Sequence, residues 1–119
     1  MTRVLVVEDE PDIRLLIAVN LRSAGFEIIE AETGEEGLEL VGDADALLLD
    51  IRLPGIDGFE VMDRIGRPFP LPVIAMSAHS GEAAREQALA MGCVAWLQKP
   101  FRPSALVEVL REHVMATTD

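Results

Sequence analysis

Val4-Leu5-Val6-Val7, followed at once by Glu8-Asp9-Glu10, is the stretch that decides the fold. A short apolar run that does not alternate reads as a strand covered on both faces, and such strands belong to parallel sheets. Pro11 suits a first helical position, and Ile13, Leu16, Ile17, Leu21 and Ala24 recur at helical spacing until Gly25 stops the pattern. A weaker strand is expected over Phe26–Glu30. Thr33-Gly34-Glu35-Glu36 has the spacing of a capping box ahead of the apolar pair Leu38 and Val41.

The same unit then repeats. Ala46-Leu47-Leu48-Leu49 is again continuous and again ends in an acid, Asp50. The turn-rich loop Arg52-Leu53-Pro54-Gly55-Ile56-Asp57-Gly58 leads into Phe59, Val61, Met62 and Ile65 at helical spacing. Pro70-Leu71-Pro72 brackets a fourth strand, Val73-Ile74-Ala75-Met76, which ends at Ser77. Ser80 is a candidate cap for a helix over about Glu82–Met91, whose stripe of Ala84, Ala88 and Met91 is thin. Val94–Leu97 reads as a fifth strand closed by Lys99-Pro100, and a last helix from about Pro103 carries Leu106, Val109, Leu110 and Val114. Strands alternating with helices in this way predict an α/β doubly wound, five-stranded parallel sheet of order 2-1-3-4-5, with five helices on both faces.

Composition fits one domain, 1–119. Half of the 119 residues are apolar, which excludes a disordered tail, and the longest apolar stretches are far too short to span a bilayer. Asp and Glu number 21 against 10 Lys and Arg, a net charge of -11, so neither direct nucleic-acid binding nor membrane attachment is expected. The single Cys93 cannot form an internal disulfide, and the start Met1-Thr2-Arg3 carries no secretory signal, so the expected location is cytoplasmic.

In a doubly wound sheet, ligands bind beyond the carboxyl ends of the strands, where the strand order reverses. That rule gathers Glu8, Asp9 and Asp50 at the switch point, with Ser77 beside Asp50 and Lys99 reaching in from the edge strand. Taken singly, each is weak evidence: acids often sit at a helix N-terminus, and a lone lysine is usually surface charge. Together, three carboxylates demand a cation, and an all-oxygen donor set without Cys or His favours Mg2+ over zinc. A hydroxyl, a lysine and Mg2+ can stabilise charge on a phosphoryl group, with the Asp50 carboxylate as nucleophile. No Gly-rich nucleotide loop is present, so the donor is expected from outside.

Glu8-Asp9, Asp50 with its Leu53–Gly58 loop, Ser77-Ala78 and Lys99-Pro100-Phe101 together resemble the receiver domain of bacterial two-component response regulators, and the resemblance covers essentially the whole chain. It implies that Asp50 accepts a phosphoryl group from a phosphohistidine on a sensor histidine kinase or phosphotransfer protein. It further implies that Asp9 binds Mg2+ directly, Glu8 largely through water, and the backbone carbonyl of Arg52 completes the metal set. Ser77 and Lys99 would contact phosphoryl oxygens, and Pro100 would follow a cis bond that aims the lysine. Arg52 and His79 match the variable pair that tunes phosphoryl lifetime. Trp96 stands where such receivers usually carry a Tyr or Phe that swings inward on activation. The implied output is a changed face of the fourth helix, fifth strand and fifth helix, read by a downstream protein target, an output domain or a second copy in a homodimer.

Two rival activities have sequence tests. A Mg2+-dependent phosphohydrolase with an aspartyl-phosphate intermediate would want a carboxylate two residues after the nucleophile, where Arg52 stands. A flavin carrier shares the strand order but would want a hydroxyl-rich loop after the first strand, where Glu8-Asp9-Glu10 would repel a phosphate.

Overall fold

A computed structural model describes residues 2–78 and 81–114. Five parallel strands, β1 (Arg3–Val7), β2 (Glu27–Ala31), β3 (Ala46–Asp50), β4 (Val73–Ser77) and β5 (Ala95–Gln98), form one sheet of order β2-β1-β3-β4-β5. Between and after them run α1 (Pro11–Ser23), α2 (Gly34–Leu40) with a 3-10 turn over Val41–Asp43, α3 (Gly58–Ile65), α4 (Glu82–Met91) and α5 (Pro103–His113). Among the described residues no helix is long and apolar enough to cross a membrane.

The continuous apolar runs behave as their composition requires. Every residue of β3 and β4 is buried, and alternate side chains serve opposite faces of the sheet. Leu5, Val7, Leu47, Leu49, Val73 and Ala75 join one core cluster with Val61 and Met62 of α3. Val4, Val6, Leu48, Ile74 and Met76 join the other, with residues of α1 and α5.

Several sequence expectations shift. Strands β2 and β5 each begin one residue later than expected, which leaves Val94 39% exposed ahead of β5. Leu16, expected on the buried stripe of α1, is 51% exposed, because Ile17, Ala18 and Leu21 already fill that face. Thr33 caps α2, its hydroxyl accepting the Glu36 amide at 3.1 Å, but the Glu36 carboxylate accepts the Glu32 amide, not that of Thr33. The residue preceding α4 is Gly81; Ser80 and His79 lie outside the described residues. In α4 only Ala88 is buried, so the helix is held by a narrow contact.

Candidate functional site

Parallel strands running in one direction place their carboxyl ends on one edge, and β1 and β3 are neighbours there. Glu8 follows β1 directly and is fully buried; Asp50, the last residue of β3, is 3% exposed; Ser77, the last of β4, is 1% exposed. Asp9 is half-buried beside them. One carboxylate oxygen from each of Glu8, Asp9 and Asp50 lies within 4.8 Å of the others. Lys99, just beyond β5, donates its Nζ to Asp50 Oδ2 at 3.1 Å and, in a shorter bond, to Glu8 Oε1. The Lys99–Pro100 peptide is cis, and the Lys99 amide donates to the Ser77 carbonyl at 2.9 Å.

The loop after β3 is shaped around Asp50. Oδ1 of Asp50 accepts the Arg52 amide at 3.0 Å, an Asx-type turn that leaves the Arg52 side chain exposed. Gly58 opens α3 so close to the strand end that an added Cβ would lie 2.7 Å from Ile51 Cα and 2.8 Å from the Asp50 carbonyl oxygen. Asp57 caps that helix by accepting the Glu60 amide at 2.9 Å. A cleft of about 680 Å³ opens between this loop and the start of α4, lined by Arg52, Leu53, Asp57, Ser77 and Ala84 among others.

Charge at the site is unbalanced. Burial pushes the Glu8 carboxyl up to about 7; the Lys99 bond opposes that shift and the neighbouring Asp50 charge reinforces it. Burial alone would lower the Lys99 ammonium, yet the Glu8 bond and the Asp50 charge hold it above the ordinary lysine value. Lys99 thus pairs with two of the three clustered acids, Glu8 and Asp50. An all-oxygen donor set with surplus negative charge fits a hard divalent cation, and Mg2+ commonly binds through one or two carboxylates with retained waters.

Of the residues marked in the sequence, Glu8, Asp9, Asp50, Ser77 and Lys99 meet at this edge. Trp96 pairs with Ala75 in the strand register and packs, partly buried, on the cluster containing Ala75 and Ala88. Two features escape a reading of the sequence. The direct Glu8–Lys99 bond is one, since strand ends bring both residues to this edge but leave the lysine for a phosphoryl oxygen. Arg14 donates to the Glu8 carbonyl at 2.8 Å, although in the sequence it is only a cation on an amphipathic helix.

Comparison with known proteins places this geometry. A family model described as response regulator receiver domain matches residues 4–111. Transcriptional regulatory protein ResD of Bacillus subtilis is 38% identical over 108 residues, which cover 89% of this chain and 45% of that protein. Phosphate regulon transcriptional regulatory protein PhoB of Pseudomonas aeruginosa is 37% identical over 119 residues, covering 96% of this chain and 52% of that protein. The chain thus spans about half the length of these curated relatives. Among solved structures, Vibrio cholerae chemotaxis protein CheY4 superposes with a TM-score of 0.86 at 28% identity, covering 95% of this chain and 98% of that one. The BeF3-activated N-terminal receiver domain of Klebsiella pneumoniae RstA gives 0.88 at 26% identity, with the same coverage. With its strand order, its acidic strand ends and these likenesses in agreement, the chain belongs to the response regulator receiver domain family, the phosphoacceptor modules of two-component signalling.

Proposed function

We propose that Asp50 is the phosphoacceptor and that it is served by a Mg2+ site formed from Glu8, Asp9, Asp50 and the backbone carbonyl of Arg52. The observation that carries this reading is the meeting of three carboxylates within 4.8 Å with a lysine 3.1 Å from Asp50, at the carboxyl ends of adjacent strands. The bound cation would neutralise charge on the transferring phosphoryl group. The Asp50 carboxylate attacks the phosphorus of a phosphohistidine; the new O–P bond forms as the P–N bond breaks, and the imidazole leaves with the electron pair and takes up a proton. Arg52's amide, donating to Oδ1, orients the carboxylate for that attack. Lys99 exchanges part of its contact with Asp50 and Glu8 for a phosphoryl oxygen, and the Ser77 hydroxyl contacts another.

Those new bonds draw on residues that flank α4 and β5, the most thinly packed part of the sheet's surround. Moving a population from 1:99 to 99:1 takes about 5.5 kcal/mol, within reach of several charge-assisted bonds to one phosphoryl group. Trp96, half-buried on β5, would report that shift or take part in it, and Arg52 with His79 would tune how long the phosphoryl group lasts. The upstream partner is a sensor histidine kinase or phosphotransfer protein in the cytoplasm. The downstream reader is a protein target, an output domain or a second copy of the chain. This is a switch and not a turnover enzyme: the phosphohydrolase alternative lacks its acid–base carboxylate, the position two residues after Asp50 being Arg52.

Transfer from a phosphorylated histidine phosphotransfer domain, followed on phosphate-affinity gels, tests the reading. A shifted band is expected with Mg2+, with none in EDTA and none for Asp50→Asn. Labelling that persists in the Asp50→Asn protein, or in EDTA at the same rate, overturns it.

A further inference from the structure

Two of the three clustered carboxylates, Glu8 and Asp9, lie on one short loop between β1 and α1, so the shape of the site depends on what fixes that loop. Its backbone is held at four points. The Glu8 amide donates to the Ala31 carbonyl at 3.1 Å, and the Glu10 amide donates to the Glu8 carboxylate at 3.1 Å. The Glu10 carbonyl accepts the Arg14 amide at 3.0 Å, and the Glu8 carbonyl accepts Arg14 Nη1 at 2.8 Å. The last of these is the side-chain bond that closes over the peptide carrying Asp9.

The guanidinium is itself aimed. Nε donates to Glu30 Oε1 at 3.1 Å and Nη2 to Glu32 Oε1 at 3.3 Å, so three acceptors, one on the loop just after β1 and two around the end of β2, define its plane. The Arg14 side chain is 13% exposed, against 39% for Glu30 and 68% for Glu32. Ion pairs that open to water contribute little stability, whereas the inner bond to the Glu8 carbonyl is charge-assisted and partly shielded. The outer carboxylates orient the fork, and the inner amino group fixes the loop.

We propose that Arg14 is a positioning residue for the divalent-cation half of the acceptor site, setting the Glu8–Asp9 peptide so that the Asp9 carboxylate faces Asp50. The proposal rests on the reading that Glu8, Asp9 and Asp50 hold Mg2+. It has a sign that separates it from simple electrostatics. Removing a cation near an acidic site should by itself tighten Mg2+ binding; loosening the loop should weaken it, and residues that orient metal ligands are typically worth 10-fold or more in affinity.

The test is a Mg2+ titration read from the backbone amide NMR shifts around Asp9 and Asp50 in wild type, Arg14→Gln and Arg14→Lys, each checked for folding in EDTA. Lysine keeps the charge and most of the stem but cannot bridge three acceptors in one plane, and it is the variant to read if Arg14→Gln unfolds. Both folded variants are expected to bind Mg2+ about 10-fold more weakly than wild type. Wild-type or tighter affinity in a folded variant overturns the positioning role while leaving the metal site intact. Absence of Mg2+ binding by the wild type overturns the metal reading and this proposal together.

Discussion

Replacing Lys99 with methionine removes the cation from a group of three acids, two of them, Glu8 and Asp50, buried, and the geometry sets the size of the effect. At an effective dielectric of about 20, a lysine 3.1 Å from Asp50 contributes roughly 5 kcal/mol of attraction, while carboxylates 4.8 Å apart repel by about 3 kcal/mol per pair. The Lys99 side chain is 8% exposed and that of Glu8 0%, so water does little to screen either term. Part of the loss is recovered when Glu8 takes up a proton, which its already raised pKa makes easy. The remainder should match other broken buried pairs, about 3–5 kcal/mol. In urea unfolding with EDTA, Lys99→Met should lose that much. The Glu8→Gln/Lys99→Met double variant should regain at least half, because the stranded charge leaves with its partner. Millimolar Mg2+ should stabilise Lys99→Met more than wild type, by supplying charge that the lysine no longer does. A Lys99→Met protein within about 1 kcal/mol of wild type in EDTA, well below that range, or strictly additive single and double variants, would show that Lys99 does not hold the acids together.

Three further outcomes are expected. Glu8 has a folded pKa of about 7 against an ordinary 4.5, so both states hold its proton below 4.5 and only the folded state holds it between the two values. Metal-free stability should therefore fall as pH rises from 4.5 to 7, most steeply midway between them, and urea titrations of Glu8→Gln should show a flatter slope; equal slopes would count against the shift. Burial pushes the Cys93 thiol up to about 12 from 9, so a disulfide exchange reagent near neutral pH should label it only on unfolding; comparable labelling rates in native and denatured protein would contradict its burial. Gly58→Ala places a methyl group against Ile51 and the Asp50 carbonyl, and a melting experiment should show it destabilised by about 1–3 kcal/mol, as overpacking generally is; an unchanged melting temperature would show that α3 can shift away freely.

How far the sequence carries the account depends on how local each determinant is. The strands β1, β3 and β4 are legible because four or five adjacent apolar residues leave no polar face, and burial on both sides follows. The acceptor site is legible for a related reason: strand ends are readable, and the topology brings them together. Leu16 is misread because helical spacing cannot say how wide a stripe the sheet can cover, and Ile17, Ala18 and Leu21 suffice. The direct bond between Glu8 and Lys99 and the Arg14 fork are not legible, since strand ends show which residues share an edge but not which polar atoms pair there. The partner of Lys99 changes the picture drawn from sequence, in which the lysine awaits a phosphoryl group. In the structure it already balances two acids, so phosphorylation must compete for it.

If Asp50 is the acceptor and its neighbours make it competent only with a divalent cation, intact-mass measurement after incubation with acetyl phosphate will show it. One phosphoryl adduct is expected on the wild type with Mg2+, none with EDTA, and none on Asp50→Asn. A wild type that gains no adduct, or an Asp50→Asn protein that gains the same one, would contradict it.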